Sequence, residues 1–346
     1  MNRRQFIPDT VWVRSADGWM IPLHREDDPE GWARLCDSDD PIVTQVDDGA
    51  AEMGAQPTSS SSAPSIMRHM IDALDLEPGM RVLEIGTGTG YNAAMLARIT
   101  GARNVTTIEV DPEIADHAGR ALEKAGFPVT VITGDGALGS PENALYDRVI
   151  VTASVRDVPY AWVAQSVTHA RILMPWGSDL YSGGVLLPLT VLADGTATGR
   201  FTRPVSFMRL REQRPRHVPW LDDERDGDYT QSTASEFPHE VFTPGSDARF
   251  AVGAALPGVT DGRTRNRDGG ETYRLSHHLT GSWAAFTPSS GEHVVRQHGP
   301  RRLWDELQQA HAWWLYAGKP KPTRFGLTVT PETQTIWLNS PDTPVP

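Results

Sequence analysis

Residues 81–92 read RVLEIGTGTGYN, and this stretch decides the fold. Its first five residues are typical of a short apolar strand, which runs directly into Gly86, Gly88 and Gly90. Glycines at this point let the backbone pass close to a bound cofactor and let the next helix begin tightly. The segment YNAAMLARI that follows is typical of such a helix. The stretch therefore predicts a strand, a glycine loop and a helix that together hold a cofactor.

Strands and helices alternate along the chain beyond this unit. Residues 104–110, 129–133 and 147–153 are expected strands, and residues 112–126 and 159–167 are expected helices. Such alternation predicts parallel βαβ units in a doubly wound sheet. Two later apolar stretches, ARILMPW and GGVLLPLTVL, are expected strands joined by hairpin turns. The predicted fold class is therefore α/β, with a Rossmann-like, mostly parallel sheet that has an antiparallel edge.

The spacing of the glycines distinguishes two classes of cofactor. A dinucleotide site needs the pattern G-x-G-x-x-G, with a helix N-terminus aimed at a pyrophosphate. In this chain the spacing is G-x-G-x-G and position 91 is Tyr. The G-x-G-x-G form after the dipeptide LE suits S-adenosylmethionine (SAM), which has no phosphate. A nicotinamide oxidoreductase is correspondingly disfavoured.

Polar residues after the next two strands agree with this prediction. Glu109 ends the second strand, where an acidic side chain can accept hydrogen bonds from ribose hydroxyls. Asp135, in the segment GDG after the third strand, can bond an adenine amino group. The predicted SAM-binding residues are Glu84, Gly86, Gly88, Gly90, Glu109, Asp135 and Gly136.

Composition excludes several other classes of protein. Lys and Arg number 32 and Asp and Glu number 44, so the formal net charge is −12, which argues against a general nucleic-acid binder. Cys36 is the single cysteine, so no intramolecular disulfide can form and a reducing cytoplasm is expected. No run of about 18 apolar residues occurs, so no membrane span is expected. No pattern of metal ligands is present either.

The two ends of the chain lie outside this alternating pattern. The first 50 residues include three tryptophans, which favours an ordered N-terminal cap, and a helical apolar stripe begins at Ser65. Residues 214–268 are rich in Pro, Asp, Arg and Gly and are expected to be rich in loops. Residues 302–318 are an expected helix, and residues 324–339 an expected hairpin that turns at TPET.

Several segments resemble the signature segments of the protein-L-isoaspartyl O-methyltransferases. They are VLEIGTGTGYNAAMLA, GDGALGSPENALYDRVIVTASV, VPYAWVAQ and the opening RRQFIPD. The stretch TSSSSAPSIMRHM resembles the Thr-Ile-Ser-x-Pro segment of that family, which lies over the methyl-transfer site. The match places Ser60 at the Thr, Ser61 at the Ile, Ser62 at the Ser and Pro64 at the proline.

This resemblance implies a class I SAM-dependent methyltransferase that esterifies a carboxylate. It implies that Ser62, and secondly Ser60, are the catalytic residues, because their hydroxyls can aim a carboxylate without protonating it. Composition alone would make the serine run a linker or a helix N-cap.

The family's repair enzymes end near PVSFMRL, whereas this chain continues over residues 212–346. This C-terminal α+β extension, and the segment DDPEGWARLCDSDDPIVTQVDDG, resemble the methyltransferases of ATP-grasp peptide maturase systems. Those enzymes accompany ω-ester-linked peptides (graspetides). The resemblance implies a peptide partner modified by an ATP-grasp ligase, and methylation of an aspartate side chain that then closes to aspartimide.

Three regions are expected. They are an N-terminal cap and substrate lid (1–64), a SAM-dependent core (65–211) and a peptide-recognition extension (212–346). Two alternatives stay open. One is repair of isoaspartate in damaged proteins, and the other is a non-catalytic peptide-binding module built on an inert SAM fold.

Overall fold

The computed structural model describes residues 1–50, 52–215, 228–234, 236–291 and 293–346, which form three β-sheets with helices packed against them. The strands, numbered along the chain, are β1 Thr10–Arg14, β2 Met20–His24, β3 Ile42–Val46, β4 Pro57–Ser61, β5 Val82–Ile85, β6 Val105–Glu109, β7 Thr130–Thr133, β8 Tyr146–Val151, β9 Ser166–Trp176, β10 Val185–Val191, β11 Ala197–Arg200, β12 Thr230–Ala234, β13 Val259–Arg265, β14 Glu271–His277, β15 Ser282–Thr287, β16 His293–His298, β17 Phe325–Val329 and β18 Gln334–Leu338. The α-helices are α1 Pro29–Asp37, α2 Pro64–Leu74, α3 Tyr91–Thr100, α4 Pro112–Lys124, α5 Tyr160–Ala164, α6 Asp247–Ala255 and α7 Leu303–Tyr316.

The central sheet has nine strands in the order β18-β17-β11-β10-β9-β8-β5-β6-β7. Strands β5 to β9 pair in parallel, with β5 between β6 and β8. The remaining strands pair antiparallel. This arrangement confirms the predicted α/β fold with a mostly parallel sheet and an antiparallel edge. It also brings the carboxyl ends of β5 and β6 together, where such folds bind their ligands.

A second sheet of four strands, in the order β2-β1-β3-β4, forms the N-terminal region. The serine run is its edge strand β4, in which Ser60 pairs with Val43 and Ser61 with Ile42. The segment is therefore a strand, not a flexible linker. It runs straight into α2, which begins at Pro64 and buries Met70 and Leu74 completely.

The third sheet is antiparallel, with the order β12-β16-β15-β14-β13. Helix α7 packs on it through Trp304, whose ring stacks on Phe286 with 4.4 Å between centroids. The hairpin β17–β18 is present as predicted and turns at residues 330–333. It joins the central sheet, because β17 pairs with β11. Residues from both halves of the chain therefore share one hydrophobic core.

Two expectations about secondary structure were wrong. Residues 159–167 are not one helix, because α5 ends at Ala164 and β9 begins at Ser166, where pairing with β8 takes over. The expected loop-rich region 214–268 contains β12, α6 and all of β13, while residues 216–227 and 235 lie outside the described residues. Strand β13 carries Thr, Asp, Gly and Arg, so it lacks the apolar alternation by which strands are predicted.

Candidate active site

The glycine loop between β5 and α3 has backbone conformations that other residue types adopt only with strain. Gly86, Gly88 and Gly90 have φ values of 91°, 53° and 82°, in the left-handed region that favours glycine. A Cβ atom added at Gly88 would lie 3.2 Å from the backbone oxygen of Ser60. The glycine loop and the serine strand therefore lie directly against each other.

A cavity of about 540 Å³ lies between these elements, which is within the usual size of small-molecule sites. Its walls are residues 57–63 of the serine strand, most of the glycine loop, the end of β6 and residues 204–211. Of the nine residues predicted from the sequence, the cavity brings together Ser60, Ser62, Gly86, Gly88, Glu109 and Gly136. Glu84, Gly90 and Asp135 do not line it.

The serine hydroxyls divide by the alternation of a β-strand. Ser59 and Ser61 are buried; Ser59 Oγ accepts a hydrogen bond from Thr44, and Ser61 Oγ accepts one from Arg3. The hydroxyls of Ser60 and Ser62 are partly exposed and have no protein hydrogen-bond partner among the described residues. Both residues line the cavity. They can therefore donate hydrogen bonds to a ligand there.

Arg3 helps to form the site, although the sequence alone did not single out this residue. Its buried guanidinium donates to the backbone oxygens of Ser61 and Ser62 at 2.8 and 3.0 Å. It also donates to Ser61 Oγ at 3.1 Å and to the backbone oxygens of Ser38 and Asp40 at 3.2 and 3.0 Å. All five donors of the side chain are thus used. Burial lowers the pKa of Arg3, and the guanidinium fixes the serine strand from behind.

Glu109 faces the cavity from the end of β6. Its Oε2 accepts a hydrogen bond from the backbone N–H of Gly88 at 3.0 Å, and its Oε1 accepts one from Asp111 N–H at 3.2 Å. Burial raises the pKa of this carboxyl group. A carboxylate has about four acceptor sites, so these two bonds leave capacity for ligand hydroxyls.

Glu84 lies fully buried beneath the glycine loop. Its oxygens accept hydrogen bonds from Asn92 Nδ2 and Thr107 Oγ1, each at 2.6 Å, and burial raises its pKa to about 7. The carboxyl group therefore ties the start of α3 to β6. Asn92 itself lines the cavity, and its buried Oδ1 has no hydrogen-bond partner in the described part of the chain. That oxygen has almost no accessible surface, so Asn92 contributes to the cavity wall and to the tie with Glu84.

Asp135 and Gly136 are neighbours in sequence, but only Gly136 lines the cavity. The Asp135 side chain is exposed, and its Oδ1 accepts a hydrogen bond from the backbone N–H of Ala137 at 2.9 Å. Gly136 is buried against the cavity, and a Cβ atom there would lie 2.6 Å from Ile85 Cγ2. Its backbone oxygen accepts a hydrogen bond from Trp162 Nε1 at 2.8 Å. Gly136 therefore shapes the cavity wall, whereas the carboxylate of Asp135 caps a local turn.

Comparison with known proteins decides the family. The sequence profile described as Protein-L-isoaspartate(D-aspartate) O-methyltransferase (PCMT) matches residues 42–213. A protein-L-isoaspartate O-methyltransferase of Gloeobacter violaceus is 35% identical over 198 residues, which are 56% of this chain and 88% of that protein. The chain belongs to the protein-L-isoaspartate O-methyltransferase family. A family member from Hyperthermus butylicus is 40% identical over 159 residues, but the match covers 43% of this chain and only 65% of that relative.

A solved structure named protein-L-isoaspartate O-methyltransferase has the same fold. The TM-score is 0.53 and the sequence identity 22%, and the match covers 89% of this chain and 89% of that chain. The two chains are therefore of similar length, although the family's repair enzymes were expected to end near the stretch PVSFMRL. A long C-terminal region consequently does not by itself separate this family member from proteins of that name.

Three arginines on the segment after β11 complete the cavity wall, and sequence reasoning missed them. Arg209 points its guanidinium away, donating to the backbone oxygens of Gly177 and Ser178. Arg211 and Arg214 lie on the rim, where both contact carboxylates of neighbouring segments. The cluster of arginines in the stretch MRLREQRPR was the available signal.

The described residues include neither a cluster of metal ligands nor a membrane-spanning helix. Within the described residues, no three His, Cys, Asp or Glu side chains are grouped so that they could hold a metal ion. Across the same residues, no helix is both long and apolar enough to cross a membrane.

Proposed function

We propose that this protein methylates an aspartate side-chain carboxylate of a macrocyclic ribosomal peptide, and that the ester then closes to aspartimide. As a member of its family, the chain is a SAM-dependent carboxyl O-methyltransferase. The observation that carries the proposal is the position of the serine strand directly against the glycine loop, across one cavity. A cofactor and a carboxylate bound in that cavity would lie side by side.

The residues of the cavity fit SAM as the cofactor. Gly86 and Gly88 let the backbone approach a ligand closely, while the Glu109 carboxylate supplies acceptors for its polar groups. When bound, SAM supplies an electrophilic methyl group on a sulfonium sulfur. The absence of a phosphate in SAM agrees with the G-x-G-x-G spacing of the loop.

The contribution of the protein to catalysis is to orient the substrate carboxylate. An unperturbed aspartate side chain ionises near pKa ~3.9, so the nucleophile is already charged at neutral pH and needs no general base. Ser60 and Ser62 donate hydrogen bonds that aim the carboxylate at the methyl carbon, in line with the breaking bond at roughly 3 Å contact. Arg3 holds the segment that carries these serines by donating to the backbone oxygens of Ser61 and Ser62.

Succinimide formation follows from the chemistry of the ester. The backbone nitrogen that follows the aspartate attacks the ester carbonyl, and methanol leaves with the proton of that nitrogen. The new C–N bond closes a five-membered ring. The step requires no side chain of the enzyme, so the protein acts by making the ester.

Features in which this chain departs from the repair enzymes support a cyclised peptide as the substrate. Ser61 stands where the repair enzymes have Ile, and its buried hydroxyl bonds to Arg3. The longer approach to the serines forms the hairpin of β3 and β4, which carries one cavity wall. The resemblance of both chain ends to methyltransferases of ATP-grasp systems supports an ATP-grasp ligase as the partner that modifies the peptide first.

Repair of isoaspartate is the second candidate, because the curated relatives that match this chain carry that name. Incubation with SAM of a cyclised precursor that contains one target Asp, in parallel with a linear isoaspartyl peptide, separates the two. Mass spectrometry should show a gain of one methyl group, then loss of methanol, on the cyclised peptide. Turnover of only the linear isoaspartyl peptide would favour repair instead.

A non-catalytic binding module is the remaining alternative. The glycine loop and Glu109 are intact and line the cavity, which supports a functional cofactor site. Isothermal titration calorimetry with SAM tests this directly. Absence of SAM binding by a folded protein would favour the non-catalytic module.

A further inference from the structure

We propose that Arg211 and Arg214 form a second carboxylate site on the rim of the cavity. Asp48 occupies this site in the free enzyme, and an acidic residue of the peptide substrate replaces it during turnover. The inference rests on the proposed function and narrows its substrate class. The substrates are peptides that carry an acidic residue close to the methylated aspartate.

The two guanidiniums are grouped around one carboxylate. Arg214 Nη1 lies 3.0 and 2.7 Å from the two oxygens of Asp48, and Arg211 Nη2 lies 3.2 Å from Asp48 Oδ1. Arg211 also contacts Asp111 Oδ2 at the longer distance of 3.4 Å. Its Nε is buried and has no hydrogen-bond partner among the described residues. The donors that face Asp48 are Arg214 Nη1 and Arg211 Nη2, so a carboxylate in its place would contact both guanidiniums.

Of the two carboxylates that contact Arg211, Asp48 is the one that a substrate carboxylate can displace. It lies in the turn between β3 and β4, with a φ of 54° and a side chain that is 43% exposed. Ion pairs exposed to this degree contribute little to stability, so a substrate carboxylate can compete for the arginines.

Release of Asp48 leaves the hairpin intact. The neighbouring Asp47 carboxylate accepts the backbone N–H groups of Ala55 and Gln56, which hold the turn closed. Asp111, by contrast, is fixed, because it caps α4 through two backbone N–H groups and accepts a hydrogen bond from Gln45.

The acidic residue of the substrate is expected close to the target along the peptide. Arg211 and Arg214 line the same cavity as Ser60 and Ser62. Consecutive residues of an extended chain lie about 3.3 Å apart. A carboxylate a few positions from the methylated aspartate can therefore reach the arginines while the aspartate lies at the serines.

Paired peptides test this site. Two fluorescein-labelled cyclic peptides carry one target Asp and, two residues before it, either Glu or Gln. Fluorescence anisotropy with the full-length enzyme should show about fivefold tighter binding of the Glu peptide, the contribution of one partly exposed ion pair. The Arg214→Gln variant should bring the ratio of the two affinities close to one. The matched control is Arg265→Gln, an exposed arginine at the end of β13, which should keep the wild-type ratio.

The Asp48→Asn variant should change the peptide preference in the direction opposite to Arg214→Gln. Asn tolerates the left-handed conformation at this position, so the turn is kept while the internal competitor is removed. The preference for the Glu peptide should then increase about threefold. Equal binding of both peptides by the wild type, or an unchanged preference in Arg214→Gln, would overturn the inference. Methyl transfer is measured separately on the same peptides. Absence of methyl transfer would count against the proposed function. The ratio of the affinities for the Glu and Gln peptides decides the carboxylate site independently.

Discussion

Replacing Arg3 by lysine tests whether the buried guanidinium holds the serine strand in its active position. Arg3 donates five hydrogen bonds, and a lysine ammonium has only three donors, so at least two are lost. A hydrogen bond from a charged donor contributes roughly 1.5 kcal/mol or more, so the free energy of unfolding should fall by about 3 kcal/mol. The carbonyls of Ser61 and Ser62 lose part of their anchor in the same change.

Turnover should therefore fall more than cofactor affinity. Arg3 does not line the cavity, but the displaced strand carries Ser60 and Ser62, which aim the carboxylate. We expect kcat for the peptide to drop at least tenfold, while the Kd for SAM measured by calorimetry changes less than threefold. Urea unfolding gives the stability, and a radiolabelled methyl-transfer assay gives kcat.

The adjacent residue is a matched control. Arg4 is exposed and pairs with Asp37 on the surface, so Arg4→Lys should leave stability and kcat at the wild-type values. Wild-type kcat in Arg3→Lys, or equal effects of the two variants, would refute the assigned role of Arg3.

Three further changes give predictions. Ser62→Ala should lower kcat much more than SAM affinity, and equal turnover would show that this hydroxyl does not aim the carboxylate. Gly88→Val should abolish SAM binding in calorimetry, because a branched side chain at a φ of 53° presses on the Ser60 backbone oxygen; unchanged affinity would contradict the loop assignment. Burial raises the pKa of Glu84 from 4.5 to about 7, so between these pH values the folded protein keeps a proton that the unfolded chain has lost. The free energy of unfolding should therefore fall by up to about 3 kcal/mol as pH rises from 4.5 to 7. Urea unfolding of Glu84→Gln should lack this pH-dependent contribution. If the difference in unfolding free energy between the two proteins does not change with pH, Glu84 does not titrate in this range.

The parts of the fold that were predicted correctly depend on local patterns. Gly86, Gly88 and Gly90 need their positive φ values in the loop itself, and the strands around them are apolar because both faces are buried. Helix α2 likewise shows its buried stripe in its own sequence. The general position of the cofactor cavity follows from these short segments.

Other features depend on contacts between distant segments and could not be predicted. Arg3 resembles any surface arginine in the sequence, and only folding places it against Ser61, 58 residues further on. The serine run has low intrinsic strand propensity, and it is a strand because β3 lies beside it. Asp48 and Arg214 form the rim although 166 residues separate them. None of these three pairings has a local signal in the sequence.

The pairing of β17 with β11 has a consequence for biosynthesis. Chains emerge from the ribosome N-terminus first at about 5–20 residues per second, so β11 is made well before its partner. Until residues 325–329 are released, the nascent central sheet exposes an unpaired edge to which other chains can add. Synthesis of β17 therefore sets the moment at which the β11 edge is protected from aggregation, and a chain truncated before Phe325 would lack that protection.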